Sequence, residues 1–209
     1  MKYRKLGRRG PEVSEIGFGT WSMGGTMWGP SDDRQAIRSI HLALDLGVNF
    51  FDTAYAYGDG HSEKVLSRAF LESSHRPVVA TKVPPKNMEW PADHRIPVEK
   101  VFPGDWIREC TEQSLRNLGA DRVDLQQLHV WSDSWMDRGD WLEAVRDLKE
   151  SGKIRFFGVS VNDHQPGSVM RLVRSGLVDC VQVIYNIFDQ SPEKELLPAC
   201  RELGVGVIV

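Results

Sequence analysis

Four side chains able to move a proton stand where predicted elements of this 209-residue chain end. Asp52 closes the short apolar run that begins at Val48. Tyr57 follows five residues later, ahead of the chain-breaking Gly58 and Gly60. Lys82 lies near the end of the run Val78 to Val83, and His129 near the end of the run Val123 to Val130. Free tyrosine has a pKa of about 10 and is a poor acid at neutral pH. A nearby ammonium favours the phenolate and lowers that value. Lys82, paired with Asp52, is expected to do this for Tyr57, so that the phenol donates a proton to a developing alkoxide. His129 would orient a carbonyl oxygen or share in the proton transfer. Taken singly, each residue has a plainer account as a solvated charge, a polar cap or a core tyrosine.

The elements that must position these groups alternate. Residues 1 to 15 read as a hairpin turning near Arg8-Arg9-Gly10-Pro11, and Ile16 to Thr20 as a first strand. Ser31-Asp32-Asp33 offers caps to a helix with Ile37, Ile40 and Leu44 at helical spacing, and Gly47 suits its stop. The strand Val48 to Asp52, a helix from Ser62 to Phe70 and the strand Val78 to Val83 follow. Prolines 84, 85, 91, 97 and 103 predict an irregular loop from Pro84 to Pro103. Ile107, Cys110 and Leu118 mark the next helix, and Trp141 to Lys149 another. Ile154 to Val159 is a strand, Val169 to Val173 the centre of a short helix, and Val181 to Tyr185 a strand. A helix near Ser191-Pro192 must start late or kink because of Pro198, and Val205 to Val209 is the last strand.

Strand and helix alternating about every 25 to 35 residues call for parallel strands with covering helices. An open doubly wound sheet and a (β/α) barrel compete. After the first strand, Gly17-Phe18-Gly19 runs into Thr20-Trp21-Ser22, which breaks the Gly-x-Gly-x-x-Gly spacing, so the barrel is favoured. Barrels place reactive groups at the C-terminal ends of strands. Asp52, Lys82 and His129 fall there, as do Ser160 and Asn162 after the fifth strand and Gln182 and Asn186 flanking the sixth. Trp21, Trp28, Trp90, Trp131 and Trp135 fall on strand-end loops, where they form either a hydrophobic substrate rim or plain loop packing.

Composition narrows the classes. With 41% apolar and 26% charged residues the chain can bury a core, and no linker divides 1–209, so one domain is expected. A net charge of -3 gives no general attraction to nucleic acid or anionic lipid. No apolar run approaches the roughly 18 residues of a membrane span, and no signal peptide is expected from Met1-Lys2-Tyr3-Arg4, which leads into no apolar run. Cys110, Cys180 and Cys200 are odd in number and widely spaced, which suits buried thiols in a reducing cytoplasm. No His-x-x-x-His or acidic cluster has metal-ligand spacing, so no metal is expected. A nucleophile elbow Gly-x-Ser-x-Gly is missing as well.

The residues resemble the aldo-keto reductase family along the whole chain. Asp52-Thr53-Ala54 with Tyr57-Gly58 and Ser62-Glu63 is similar to the family's first signature. Gly17-Phe18-Gly19-Thr20-Trp21, Thr81-Lys82, Asp124-Leu125 with His129, Gly158-Val159-Ser160 with Asn162, and Gln182 with Tyr185-Asn186 follow in order. The resemblance implies a catalytic tetrad of Asp52, Tyr57, Lys82 and His129. It implies hydride transfer from NADPH to an aldehyde or ketone, a small-molecule carbonyl substrate, with Tyr57 as proton donor. Cofactor contacts would come from Gly19, Thr20, Trp21 and Asp52, and Ser160, Asn162 and Gln182 would hydrogen-bond the nicotinamide carboxamide. Gly24 to Gly29 is similar to bacterial, stress-associated members. Ser160-Val161-Asn162 carries a residue between two that are adjacent in many members.

A full (β/α)8 TIM-type barrel runs roughly 250 residues or more. Here the expectation is an N-terminal hairpin and a barrel truncated after its seventh strand, with six covering helices. The family binds the cofactor's adenosine phosphates largely through segments after that strand. An open barrel exposes apolar faces and the edges of strands one and seven. An oligomeric partner covering that edge, a rearrangement, or a longer product would resolve this. Potassium-channel β subunits also resemble this family, so a cofactor-sensing regulatory subunit is the rival to catalysis, and an inactive barrel fragment the third reading.

Overall fold

The computed structural model describes residues 1–25, 29 and 31–209 of the chain. An antiparallel hairpin of β1 (Tyr3–Lys5) and β2 (Glu12–Ser14) precedes a seven-stranded sheet. The sheet comprises β3 (Phe18–Gly19), β4 (Phe50–Asp52), β5 (Val78–Val83), β6 (Val123–Leu128), β7 (Ile154–Ser160), β8 (Cys180–Gln182) and β9 (Gly206–Ile208), all parallel and paired in chain order. The crossovers carry α1 (Asp33–Asp45), α2 (His61–Leu71), α3 (Val98–Val101) with α4 (Gly104–Leu118), α5 (Trp141–Glu150), α6 (Met170–Ser175) and α7 (Leu196–Leu203).

The sheet curls. Asp52 on β4 and Gln182 on β8 are four strand positions apart, about 19 Å in a flat sheet. Their side chains nevertheless meet at 3.2 Å, so the strands bend around a common interior. That interior is apolar toward the strands' N-terminal ends, where Phe50, Ala80, Leu125 and Cys180 pack with Leu6 and Val13 of the hairpin. The hairpin therefore plugs this end, and Arg8 N donates to Gly204 O at 2.7 Å to hold it there. A larger apolar layer joins the outer face of the sheet to the helices. Within it Trp131 stands edge-on to Trp141 at a centroid distance of 4.8 Å and to Trp135 at 5.9 Å. Such aromatic pairs add about 0.5–1.5 kcal/mol each beyond the area they bury.

Local chemistry explains the helix starts. Asp32 Oδ1 accepts from Arg34 N at 2.9 Å and Gln35 N at 3.2 Å, capping α1. Pro198 sits in the first turn of α7, which has few intrahelical N–H bonds to lose, so the helix starts late and runs straight through it.

Several boundaries differ from expectation. The first strand shrinks to Phe18 and Gly19, and at its end Thr20 donates both its N–H and its hydroxyl to Asp52 O. The proline-rich segment is not wholly irregular: Val98–Val101 makes one helical turn just after Pro97, a place where proline is tolerated. The run Val181 to Tyr185 pairs only through Gln182, since the chain turns away at Asn186 and Asp189, which exchange backbone bonds. No helix among the described residues is long and apolar enough to cross a membrane. Cys110, Cys180 and Cys200 are free and buried, and burial raises all three thiols, Cys110 to about 12 and Cys200 to about 11.

Candidate active site

The parallel register puts the acid and the ammonium together. Asp52 pairs with Ala80, and Lys82 lies two residues on, on the same face of β5. Lys82 is buried, and its Nζ donates to Asp52 Oδ2 at 2.6 Å and to Thr53 O at 2.9 Å. Gln182 Nε2 donates to the same carboxylate oxygen at 3.2 Å, and Gln127 Nε2 donates to Gln182 Oε1 at 3.1 Å. Asp52 Oδ1 and Gln127 Oε1 are buried without a partner among the described residues.

Tyr57 is brought over this pair by a turn that only small residues allow. Gly58 and Gly60 have φ of 66° and 83°. A side chain on Gly58 would also run into the carbonyl of Gly24. The loop returns to α2 through Gly60 N on Tyr55 O at 2.7 Å and Ser62 N on Tyr57 O at 3.2 Å. The phenol ring then lies with Lys82 Nζ 5.2 Å from its centroid. His129 stands edge-on to it at 5.7 Å, and Trp21 tilts against it at 6.4 Å. Trp90 stands edge-on to His129 at 5.5 Å.

The electrostatics differ from the expected acidified phenol. Burial is the largest influence on Tyr57 and raises its pKa; Lys82 pulls it down, Asp52 pushes it back up, and the net shift is upward. The phenol is therefore held protonated across neutral pH. His129 is driven the other way, down to about 3, first by burial and then by the Lys82 ammonium. Its buried Nδ1 has no partner among the described residues. The site thus holds one ion pair, a neutral phenol and a neutral imidazole.

The remaining candidates divide. Ser160 ends β7 half-buried, with no side-chain hydrogen bond among the described residues. Asn162 is turned elsewhere: its Oδ1 accepts from Ala92 N at 2.7 Å, and its Nδ2 donates to Ala92 O at 3.2 Å and Gln165 Oε1 at 3.1 Å. It thereby ties the proline-rich segment to the end of β7. Gly19 is exposed on the edge strand β3. Thr20 is wholly buried, its hydroxyl donating to Asp52 O and accepting from Ser62 Oγ at 2.7 Å. Trp21 and Trp90 are 48% and 42% exposed and border the polar cluster, whereas Trp131 and Trp135 are buried in the helix layer and form no rim. Thr26, Met27 and Trp28, half of the stretch from Gly24 to Gly29, lie outside the described residues. A cavity of about 670 Å³ opens between the hairpin, Phe50 and β9 and reaches Asp52 and Gln182, though Tyr57, Lys82 and His129 do not line it. The sequence reading missed Gln127, wholly buried on β6, and took Glu63, wholly buried on α2, only as part of the family signature, with no role of its own. Glu63 shares a helical face with Leu66 and Phe70, so a carboxylate inside an apolar stripe was the available signal.

Comparison with known proteins shows the family of the chain. The profile of the Aldo/keto reductase family matches residues 15–209, and the chain belongs to that family. It is 34% identical over 204 residues to aldo-keto reductase YhdN of Bacillus subtilis (strain 168), covering 97% of this chain and 59% of that protein. It is 31% identical to the NADH-specific methylglyoxal reductase of Escherichia coli (strain K12), covering 100% of this chain and 66% of that one. The solved aldo-keto reductase AKR11C1 from Bacillus halodurans, a holo form, superposes with a TM-score of 0.81 at 32% identity, covering 100% of this chain and 65% of that one. The chain spans about three fifths of the length of curated relatives it matches, 59%, 57% and 63% for three of them.

The depressed His129 makes a testable stability window. An unfolded chain takes up a proton at His129 below about 6.5, while the folded chain does not until about 3, so folding stability falls with pH across that interval. His129→Gln removes this contribution. Urea midpoints measured from neutral pH down to about 4 should fall less steeply for the variant than for the parent; identical slopes would contradict a neutral, enclosed imidazole.

Proposed function

We propose that this chain carries the carbonyl-reducing centre of a nicotinamide-dependent oxidoreductase, converting aldehydes or ketones to alcohols with Tyr57 as the proton donor. The observation that supports this most is the buried Lys82–Asp52 pair, 2.6 Å across, set beside the Tyr57 ring with a neutral His129 edge-on to the same ring. A reduced nicotinamide supplies a hydride when bound. The chain's own residues then have a proton to deliver to the carbonyl oxygen as that hydride reaches the carbon. A phenol held protonated has that proton to give, and the ammonium stabilises the phenolate left behind. Neutral imidazole can donate one N–H toward the same oxygen. Asp52 keeps the ammonium in place, and Trp21 and Trp90 offer aromatic walls to an apolar carbonyl compound.

For the cofactor, Asp52 Oδ1 and Gln127 Oε1 are acceptors that fit the amide hydrogens of a carboxamide, and Ser160 presents a hydroxyl. Gln182 adjoins them, and Gly19, Thr20 and Trp21 flank Asp52 across the β3–β4 pair. Asn162 can join this set by exchanging its bonds to Ala92. NADPH is favoured on the family resemblance, and a reducing cytoplasm suits three free, buried thiols.

Tyr57→Phe should lower kcat for aldehyde reduction by at least about a hundredfold, the usual worth of a positioned general acid. Cofactor binding, read by fluorescence, should stay within about twofold, because the phenol acts only once the carbonyl reacts. Retained turnover would contradict the assignment. Parallel titrations should show tighter binding of NADPH than of NADH; equal or tighter binding of NADH would assign the chain the preference named in its Escherichia coli relative.

A further inference from the structure

Glu63 is 0% exposed at the third position of α2 and forms no ion pair within 4.0 Å among the described residues. Burying a carboxylate is unfavourable unless donors satisfy it. Here Thr81 Oγ1 donates to Oε1 at 2.6 Å, and Asn117 Nδ2 donates to Oε2 at 2.8 Å. Burial raises the Glu63 pKa, and these two donors counter that rise. Asn117 is itself oriented, since its Oδ1 accepts from Gln113 Nε2 at 3.0 Å. Its amide also packs so closely on Gly60 that a side chain there would collide with it.

Two of the three elements joined at this carboxylate, β5 and α2, lead directly to reacting groups. Thr81 is the neighbour of Lys82 on β5. The first turn of α2 holds the Tyr57 loop through Ser62 N on Tyr57 O and His61 N on Gly58 O at 3.0 Å. A hydroxyl chain runs in parallel: Thr53 Oγ1 donates to Ser62 Oγ at 3.0 Å, Ser62 Oγ to Thr20 Oγ1, and Thr20 Oγ1 to Asp52 O at 3.0 Å. The phenol and the ammonium thus belong to segments fastened to each other behind the sheet, away from the reacting atoms. We propose that Glu63 is a positioning residue that sets the placement of Tyr57 relative to Lys82 by clamping α2 to β5 and α4. This rests on the reading of Tyr57 as the proton donor. Glu63 touches neither substrate nor cofactor in this account.

In Glu63→Gln the charge is lost and only one of the two donors still meets an oxygen: the new amide nitrogen faces either Asn117 Nδ2, which cannot flip without losing Gln113, or Thr81 Oγ1, whose hydroxyl must then turn its hydrogen elsewhere. The double variant Glu63→Gln/Asn117→Asp restores a donor–acceptor pair and the charge. The chain has only 4 tyrosines, so isotope-labelled tyrosine resolves the Tyr57 ring by NMR, with Tyr57→Phe giving the assignment. Glu63→Gln should move the Tyr57 ring signals and lower kcat about ten- to a hundredfold, as a small misplacement does. KM for the carbonyl compound should change far less, and the double variant should recover both signals and kcat. Tyr57 signals unmoved in a folded Glu63→Gln chain, or a double variant that recovers neither readout, would overturn the proposal. If Glu63→Gln does not fold, Thr81→Val removes one donor at nearly constant shape and must move the same signals. A parent chain without carbonyl turnover would sink the functional reading alone, while the tyrosine signals would still decide the clamp.

Discussion

An ammonium cannot be taken out of water without a partner, and in this chain that constraint fixes the site. Lys82 is 1% exposed, so its charge must be met inside the sheet. Only the neighbouring strand offers a carboxylate at the right height. The β4–β5 register brings Asp52 within 2.6 Å and adds the Thr53 carbonyl as a second acceptor. Gln182 reaches the same carboxylate from β8, which requires the sheet to curl around its interior. The curl, the strand order and the ion pair are one arrangement described three ways.

With the charge pair fixed, the groups around it stay neutral. Burial discourages both a phenolate and an imidazolium, raising Tyr57 and lowering His129, and Lys82 assists the second while opposing the first. The outcome is a pair of hydrogen-bond donors beside a compensated ammonium. A carbonyl oxygen gathering negative charge is the group such a setting favours. The aromatic neighbours matter here as dielectric as much as contact surface, since Trp21 and Trp90 help to seal the two rings from water.

The alternation of strands and helices was legible because each element writes its own period into its apolar residues. The strand-end polar residues were legible because a parallel barrel leaves them no other mouth to face. Element boundaries were less so: Val98–Val101 is helical although prolines bracket it, and the strand after Asp179 stops at Gln182 although Val183 and Tyr185 continue its character. Long-range choices were not legible. Asn162 spends its amide on Ala92, 70 residues earlier in the chain, and Trp131 and Trp135 turn inward to meet Trp141 instead of lining a rim. The direction of the Tyr57 shift was misjudged because the ammonium is visible in sequence while the depth of burial is set by Trp21 and His129 packing in from other elements. Glu63 was read only as a member of the Ser62-Glu63 signature because an acid on a helix reads as solvated unless the face it occupies is counted.

The coupling between Lys82 and Asp52 is the quantity on which the account turns, and a double-mutant cycle of Lys82→Met and Asp52→Asn measures it by urea unfolding. Breaking a buried pair from one side strands the other charge and costs about 3–5 kcal/mol, whereas removing both relieves much of that loss. The double variant should be markedly more stable than the sum of the two single losses predicts, with a coupling of about 2 kcal/mol or more. Losses that simply add, with coupling under about 0.5 kcal/mol, would show that the ammonium and the carboxylate do not depend on one another and would contradict it.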